Sequence, residues 1–199
     1  MQLNNKDIEE IKLGNIDCIA AYLGTNKVFA KDLGVYTSFS SSILPTVWEK
    51  TSNTTAKATT SYGTWYISAT TTYSETTGVE LAFDNDLTTC AKSSNYRNDY
   101  DITITCPTGV TIRPQQLTLT AYRLGTTGGG STFKGGQDEL INFDEDFYDN
   151  DEILTKGYAI STSNYYSKFT LHVTVPTLGG YMRNIYNILI NKGIVRVEK

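Results

Sequence analysis

An all-β fold follows from three features of this 199-residue chain. Its composition is heavy in Thr, Ser and Tyr, with 14 Tyr and 16 Gly; Thr and Tyr favour strands, and Gly marks turns. Apolar and polar residues alternate in short runs, clearest in Asp101-Ile102-Thr103-Ile104-Thr105 and in Leu117–Leu124. Near the start, Ile11-Lys12-Leu13-Gly14-Asn15 and Ala21-Tyr22-Leu23-Gly24-Thr25 repeat the same Leu-Gly ending, and each reads as a strand closed by a tight turn. The expected architecture is a small N-terminal β-meander followed by a sandwich or barrel.

The meander comes first. Between Ile8 and Phe29 the chain spells strand, turn, strand, turn, strand: Ile8–Leu13, Ile16–Leu23 and Lys27–Ala30. Three short strands bury little apolar surface and are marginal alone. They gain stability by packing on the rest of the chain or on another protein, and the same pattern also suits the first sheet of an ordinary β domain. The run resembles a module at the N-termini of bacteriophage virion proteins, especially tail and fibre components. That module reads Ile-x-Leu-Gly-x-x-x-Val-x-x-Ile-Tyr-Leu-Gly-x-x-x-Val-Trp. Here Phe29 takes the place of the final Trp, and Ala21 that of the residue before Tyr22. The resemblance implies a docking module over residues 1–34, with Leu13, Gly14, Tyr22, Leu23, Gly24, Val28 and Phe29 as the docking residues.

Composition narrows the rest. The net charge is −4 and no basic cluster appears, so the electrostatic footprint that holds nucleic acid is missing. No run approaches the length of a membrane span. The three cysteines, Cys18, Cys90 and Cys106, are an odd, unpaired set, which argues against a disulfide framework and fits assembly in a reducing compartment. Met1–Glu10 carries Asp7, Glu9 and Glu10 and lacks an apolar segment, so no signal peptide is expected. A virion made in the host cytoplasm and released by lysis satisfies these features.

A Ser-rich stretch with Gly34, Lys31–Ser42, reads as a loop, and residues 35–44 are assigned as a linker. Thr51–Thr60 fits an exposed strand or a loop. Tyr62–Thr70 is a clearer strand, with Trp65 and Ile67 alternating against Tyr66 and Ser68. Further strands are expected at Tyr100–Thr105, Leu117–Leu124, Asn184–Ile190 and Ile194–Val197, with a turn at Gly109–Pro114 anchored by Ile112 and another at Asn191-Lys192-Gly193.

The segment Ala82-Phe83-Asp84-Asn85-Asp86-Leu87-Thr88-Thr89-Cys90-Ala91-Lys92-Ser93 resembles the signature loop of discoidin (coagulation factor 5/8 type C) and related galactose-binding-like domains, Ala-Phe-Asp-Gly-Asp/Asn-x-x-Thr-x-Trp-x-Ser. Asn85 stands where Gly is usual, and Asn tolerates a left-handed backbone. Ala91 or Cys90 replaces the usual Trp. Thr132-Phe133-Lys134-Gly135-Gly136 and Tyr165–Thr174 also resemble later segments of that family. The resemblance implies a jelly-roll-like, discoidin-type β-sandwich over residues 45–199.

That resemblance also implies a structural calcium at Asp84, Asp86 and Thr89, through a carboxylate, a backbone carbonyl and a hydroxyl. Asn184 falls where the family has a completing Glu. The same residues also fit an Asx-type turn in which Asp84 binds its own loop's N–H groups. Tyr96 and Arg97, just after the loop, are the candidate glycan contacts. The acidic stretch Gln137–Glu152 reads as a solvated loop, with Phe143 and Phe147 docking on the core.

Enzyme chemistry finds little footing. His172, the single histidine, lies in an alternating strand beside Leu171 and Val173, as a sheet-face residue would. No nucleophile elbow, zinc-protease or phosphate-loop motif occurs. Gly125–Gly130 follows a strand but precedes no helix pattern, so it reads as a hairpin loop. The expected function is therefore structural. The chain is read as a virion component of a phage tail, connector ring or fibre, partnered by other virion proteins and by copies of itself. The alternative is a carbohydrate-binding adhesin that recognises host glycans.

Overall fold

The computed structural model describes residues 2–3, 6–7, 11–13, 16–18, 20–23, 26–30, 34–71, 78–92, 99–122, 124, 130–143, 147, 152–174 and 184–198; before residue 34 it describes strand backbone only. Packing divides the chain into two units, Met1–Val35 with Glu198–Lys199, and Tyr36–Val197.

The first unit contains β1 (Gln2–Leu3), β2 (Lys6–Asp7), β3 (Ile11–Leu13), β4 (Ile16–Cys18), β5 (Ala20–Leu23) and β6 (Asn26–Ala30). These strands pair only two by two, as β1–β2, β3–β4 and β5–β6, all antiparallel. The run Ile16–Leu23, expected as the middle strand of the meander, supplies β4 to one pair and β5 to the next, with Ile19 between them outside the described residues. The reason is local. Leu13 pairs with Ile16 and Leu23 with Asn26, so two residues separate the strands at each Leu-Gly signal, the spacing of a tight hairpin. Closing a short loop costs the least chain entropy, and each signal makes its own hairpin. Ile8, Gly14 and Gly24 lie outside the described residues.

The second unit holds all but the first residue of β7 (Val35–Phe39), and β8 (Glu49–Ser52), β9 (Thr55–Thr60), β10 (Gly63–Ala69), β11 (Ala91–Lys92), β12 (Tyr100–Thr105), β13 (Val110–Tyr122), β14 (Thr132–Gly135), β15 (Asp138–Asn142), β16 (Leu154–Ala159), β17 (Lys168–Val173) and β18 (Asn184–Val197), with a 3-10 turn at Val79–Ala82. A seven-stranded sheet runs in the order β15-β14-β17-β12-β10-β9-β8. A five-stranded sheet contains β11-β18-β13-β16, and β7 also pairs with β18. From β12 onward the chain crosses repeatedly between the sheets, and the result is a jelly-roll-like β-sandwich. Residues expected to be linker enter this sheet instead: β7 pairs with β18, and Leu44 lies in the core at 4% exposure.

Alternation explains the layering. In β12 and β17 every second side chain is buried, giving Ile102, Ile104, Phe169, Leu171 and Val173 to the interior. Leu117, Leu119, Ile188 and Ile190 come from the facing sheet. Trp65 is fully buried, and its indole N–H donates to the Thr60 hydroxyl at 3.1 Å, so its one polar atom is satisfied. Phe133 stacks on Phe169 at 5.7 Å, and Tyr166 meets Phe169 edge-on at 5.9 Å.

Two expected turns are strand. Val110 through Pro114 belongs to β13, and fully buried Ile112 exchanges backbone hydrogen bonds with Tyr166, 2.9 Å each way. Asn191-Lys192-Gly193 lies within the single strand β18. Pro114 faces Gly193, and the register shifts just beyond it. Proline cannot donate to a ladder, so the pair accommodates it at an irregularity rather than ending. A sequence pattern of Gly beside a polar pair looks the same in a bulge as in a turn. Within the acidic stretch Asp138–Asn142 is strand β15 rather than loop, and Phe143 and Phe147 are buried as expected; residues 144–146 and 148–151 lie outside the described residues.

Candidate ligand-binding face

The outer face of the seven-stranded sheet is polar because the residues alternating with the core set are Thr, Ser, Lys, Asp and His. Register lines them up in rows. Asp101 on β12 faces His172 on β17, which faces Thr132 on β14. The next row is Ser68, Thr103, Thr170 and Lys134. A third is Lys57, Tyr66, Thr105 and Lys168, in which Tyr66 is an exposed aromatic at 53%.

At one end of these rows lies a solvent-open pocket of about 270 Å³, bordered by Asp101, Lys134, Gln137, Lys168, Thr170 and His172. Asp101 Oδ1 lies 2.7 Å from His172 Nδ1. In the tautomer whose Nδ1–H donates to Asp101, the lone pair of the neutral ring is on Nε2. Asp99 Oδ2 faces Nε2 at 4.0 Å, giving a protonated ring a second carboxylate. Thr170 and Thr103 share hydroxyls across the strands at 3.4 Å. Gly136 lies in the β14–β15 turn at φ 59°, a left-handed backbone that suits Gly, and its N–H donates to the Lys168 carbonyl at 3.0 Å. That turn carries Gln137 to the pocket.

Among the described residues no hydroxyl or thiol is hydrogen-bonded to His172, the partner that would complete an acyl-transfer arrangement with Asp101. The pocket is equipped to bind. It presents carboxylate acceptors, ammonium donors, an amide with both and a hydroxyl.

The signature loop closes on itself. Asp84 Oδ1 accepts the Asp86 N–H at 3.0 Å, and Oδ2 accepts the Thr89 hydroxyl at 2.6 Å. Asp86 Oδ1 accepts the Thr88 hydroxyl and N–H, and these bonds hold its carboxyl below the usual carboxylate range. Asn85 takes the left-handed conformation at φ 59° that the resembled Gly position calls for. Of the two residues that replace the usual Trp, Ala91 is buried in β11 and Cys90 is half-buried. Asn187, 3% exposed, donates to Asn85 Oδ1 at 2.9 Å, and its own Oδ1 is buried without a partner. The Asx-turn geometry is therefore present. Among the described residues no group of three His, Cys, Asp or Glu is arranged to hold a metal.

Of the other expected sites, Tyr96 and Arg97 lie outside the described residues, as do Asp144–Asp146 and Gly125–Thr127. Leu13, Tyr22, Leu23, Val28 and Phe29 belong to strands of the first unit. Sequence reading placed His172 on a sheet face but missed its neighbours in the pocket. Their signal is the polar half of two alternating runs, which becomes a site only through pairing between residues 71 apart in sequence.

No family model matches the chain, and a search of curated proteins returns no match. Solved structures with a similar β-sandwich exist. The C-terminal domain of a chitobiase from Bacteroides fragilis is 16% identical, with 69% of this chain and 98% of that one covered and a TM-score of 0.48. A family 32 carbohydrate-binding module from Clostridium perfringens, solved with galactose, is 11% identical, with 70% and 98% covered and a TM-score of 0.47. A chitosan-binding module of a Paenibacillus chitosanase/glucanase is 14% identical, with 65% and 92% covered and a TM-score of 0.46.

Proposed function

We propose that the chain is a non-catalytic binding module whose sandwich takes a carbohydrate on the outer face of the seven-stranded sheet. The observation that carries this is the pocket itself. Asp101, Gln137, Thr170 and His172 offer both donors and acceptors within one open concavity, which matches a ligand covered in hydroxyls. Tyr66 on the same face supplies an exposed ring against which a sugar's C–H face can lie. A glycan array probed with the full chain, followed by calorimetry, tests the proposal. Saturable binding is expected, weakened at least several-fold by Asp101→Ala. Absence of saturable binding to every glycan refutes it.

The same reading keeps a structural calcium at the Asp84–Thr89 loop. The donor set of two carboxylates, a hydroxyl and the Asp86 carbonyl is all oxygen, as that ion requires. The unpartnered Asn187 Oδ1, on an amide docked to Asn85, is a further oxygen beside the loop.

A second reading is that of a bacteriophage virion component in a tail, connector ring or fibre, docking through the N-terminal module on other virion proteins or on its own copies. It is favoured by the separate unit of two-stranded hairpins, which is too short to be stable alone. Deleting residues 1–30 tests it: particles that still incorporate the shortened chain exclude the docking role.

A further inference from the structure

Resting on the carbohydrate-binding proposal, we infer that the pocket selects an acidic saccharide, with the sugar's carboxylate held between Lys134 and Lys168. The register sets this up. Lys134 on β14 stands opposite Thr170 on β17, and Lys168 precedes Thr170 by two residues on the same face. The two lysines are therefore diagonal neighbours, with Cβ atoms about 7 Å apart. Both border the pocket.

Like charges at that spacing repel, and a carboxylate between them would offset the repulsion. Here none does. Glu139 is the β15 residue opposite Lys134, yet no ion pair forms between them, and among the described residues neither Lys134 nor Lys168 has an ion-pair partner. The carboxylate that does line the pocket, Asp101, is engaged with His172 Nδ1. Two lysines thus border one concavity in a chain whose net charge is −4. An anion bridging them relieves the repulsion, and Thr170, opposite Lys134 and two residues from Lys168, brings a hydroxyl to the same pocket. The remaining ring hydroxyls then meet Asp101, Gln137 and His172. A neutral sugar satisfies the second set but leaves the two charges facing each other.

The test is calorimetry on the full chain with three probes: an oligogalacturonate, its methyl ester and inorganic sulfate. The acid is expected to bind about tenfold or more tightly than the ester, the value of one charge-assisted contact. The preference shrinks from low salt to 0.5 M salt. Lys134→Ala and Lys168→Ala, each checked for an unchanged melting temperature, bring the acid-to-ester ratio toward one. An ester that binds as tightly as the acid, or lysine variants with the wild-type ratio, overturns this inference and leaves carbohydrate binding standing. Sulfate binding with no binding of either saccharide reduces the site to an anion site and overturns it too. If no probe binds at all, this inference fails, while the carbohydrate proposal is decided by the glycan array.

Discussion

Gly193 offers a sharp test of the packing argument, through Gly193→Ala. A Cβ built there lies 2.5 Å from the Arg113 carbonyl oxygen and 2.8 Å from the Phe39 ring. Phe39 can turn away; the Arg113 carbonyl belongs to β13 and cannot move without the strand. Restoring ordinary contact needs β13 and β18 to separate locally by about 1 Å, at the place where Pro114 already interrupts the ladder. Overpacking of this kind costs about 1–3 kcal/mol, and weakening one ladder hydrogen bond adds about 1 kcal/mol. The sum, about 2–4 kcal/mol, corresponds to a melting-temperature loss of roughly 4–16 °C for a unit of this size. Urea unfolding followed by the fluorescence of Trp48 and Trp65 gives the free energy, and thermal denaturation gives the shift. Gly157→Ala is the control. A Cβ at Gly157 in β16 meets nothing closer than 3.9 Å and its backbone is not left-handed, so the change is neutral or stabilises by up to about 1 kcal/mol. Adding Phe39→Ala to Gly193→Ala should not restore stability, since the backbone clash persists. If Gly193→Ala costs no more than Gly157→Ala, the close approach of the two strands is wrong.

Three further outcomes follow from the site and the core. Tyr166 and Asn164 donate to Asp138 and hold its carboxyl below the ordinary value of 3.8. The folded pKa lies below the unfolded one, so this stabilisation is present above about pH 4 and is lost as pH falls through the folded value; Asp138→Asn should flatten the acid limb of melting temperature against pH, and an unchanged limb counts against the contact. Burial pushes the Cys106 thiol up to about 12, so mass spectrometry after maleimide treatment at pH 8 should find Cys106 unmodified until denaturant is added. Rapid native labelling would show that the core is open there. Calcium should raise the melting temperature, EDTA should lower it, and Thr89→Val should abolish both shifts; identical melting in calcium and EDTA removes the ion from the Asp84–Thr89 loop.

Much of the fold was legible because it is local. Trp65 and Ile67 against Tyr66 and Ser68, and Ile102 and Ile104 against Asp101 and Thr103, show their buried and wet faces in one dimension. Errors fell where one local pattern has two outcomes. Gly193 beside Asn191 and Lys192 reads as a turn, but Pro114 opposite makes it a ladder irregularity within one strand. Val35–Phe39 reads as linker because it lies in a Ser-rich run after Gly34; its side chains are largely exposed, and only backbone pairing with β18 makes it a strand.

By itself the amino-acid order determined the all-β class, the inward-facing residues of the best strands and the left-handed Asn85, since alternation and backbone preference act between near neighbours. Only the tertiary structure decided which polar residues share a face. Strand register is chosen by burial of the apolar set, and it is that choice which brings Asp101, Lys134 and Lys168–His172 to one pocket from three distant parts of the chain.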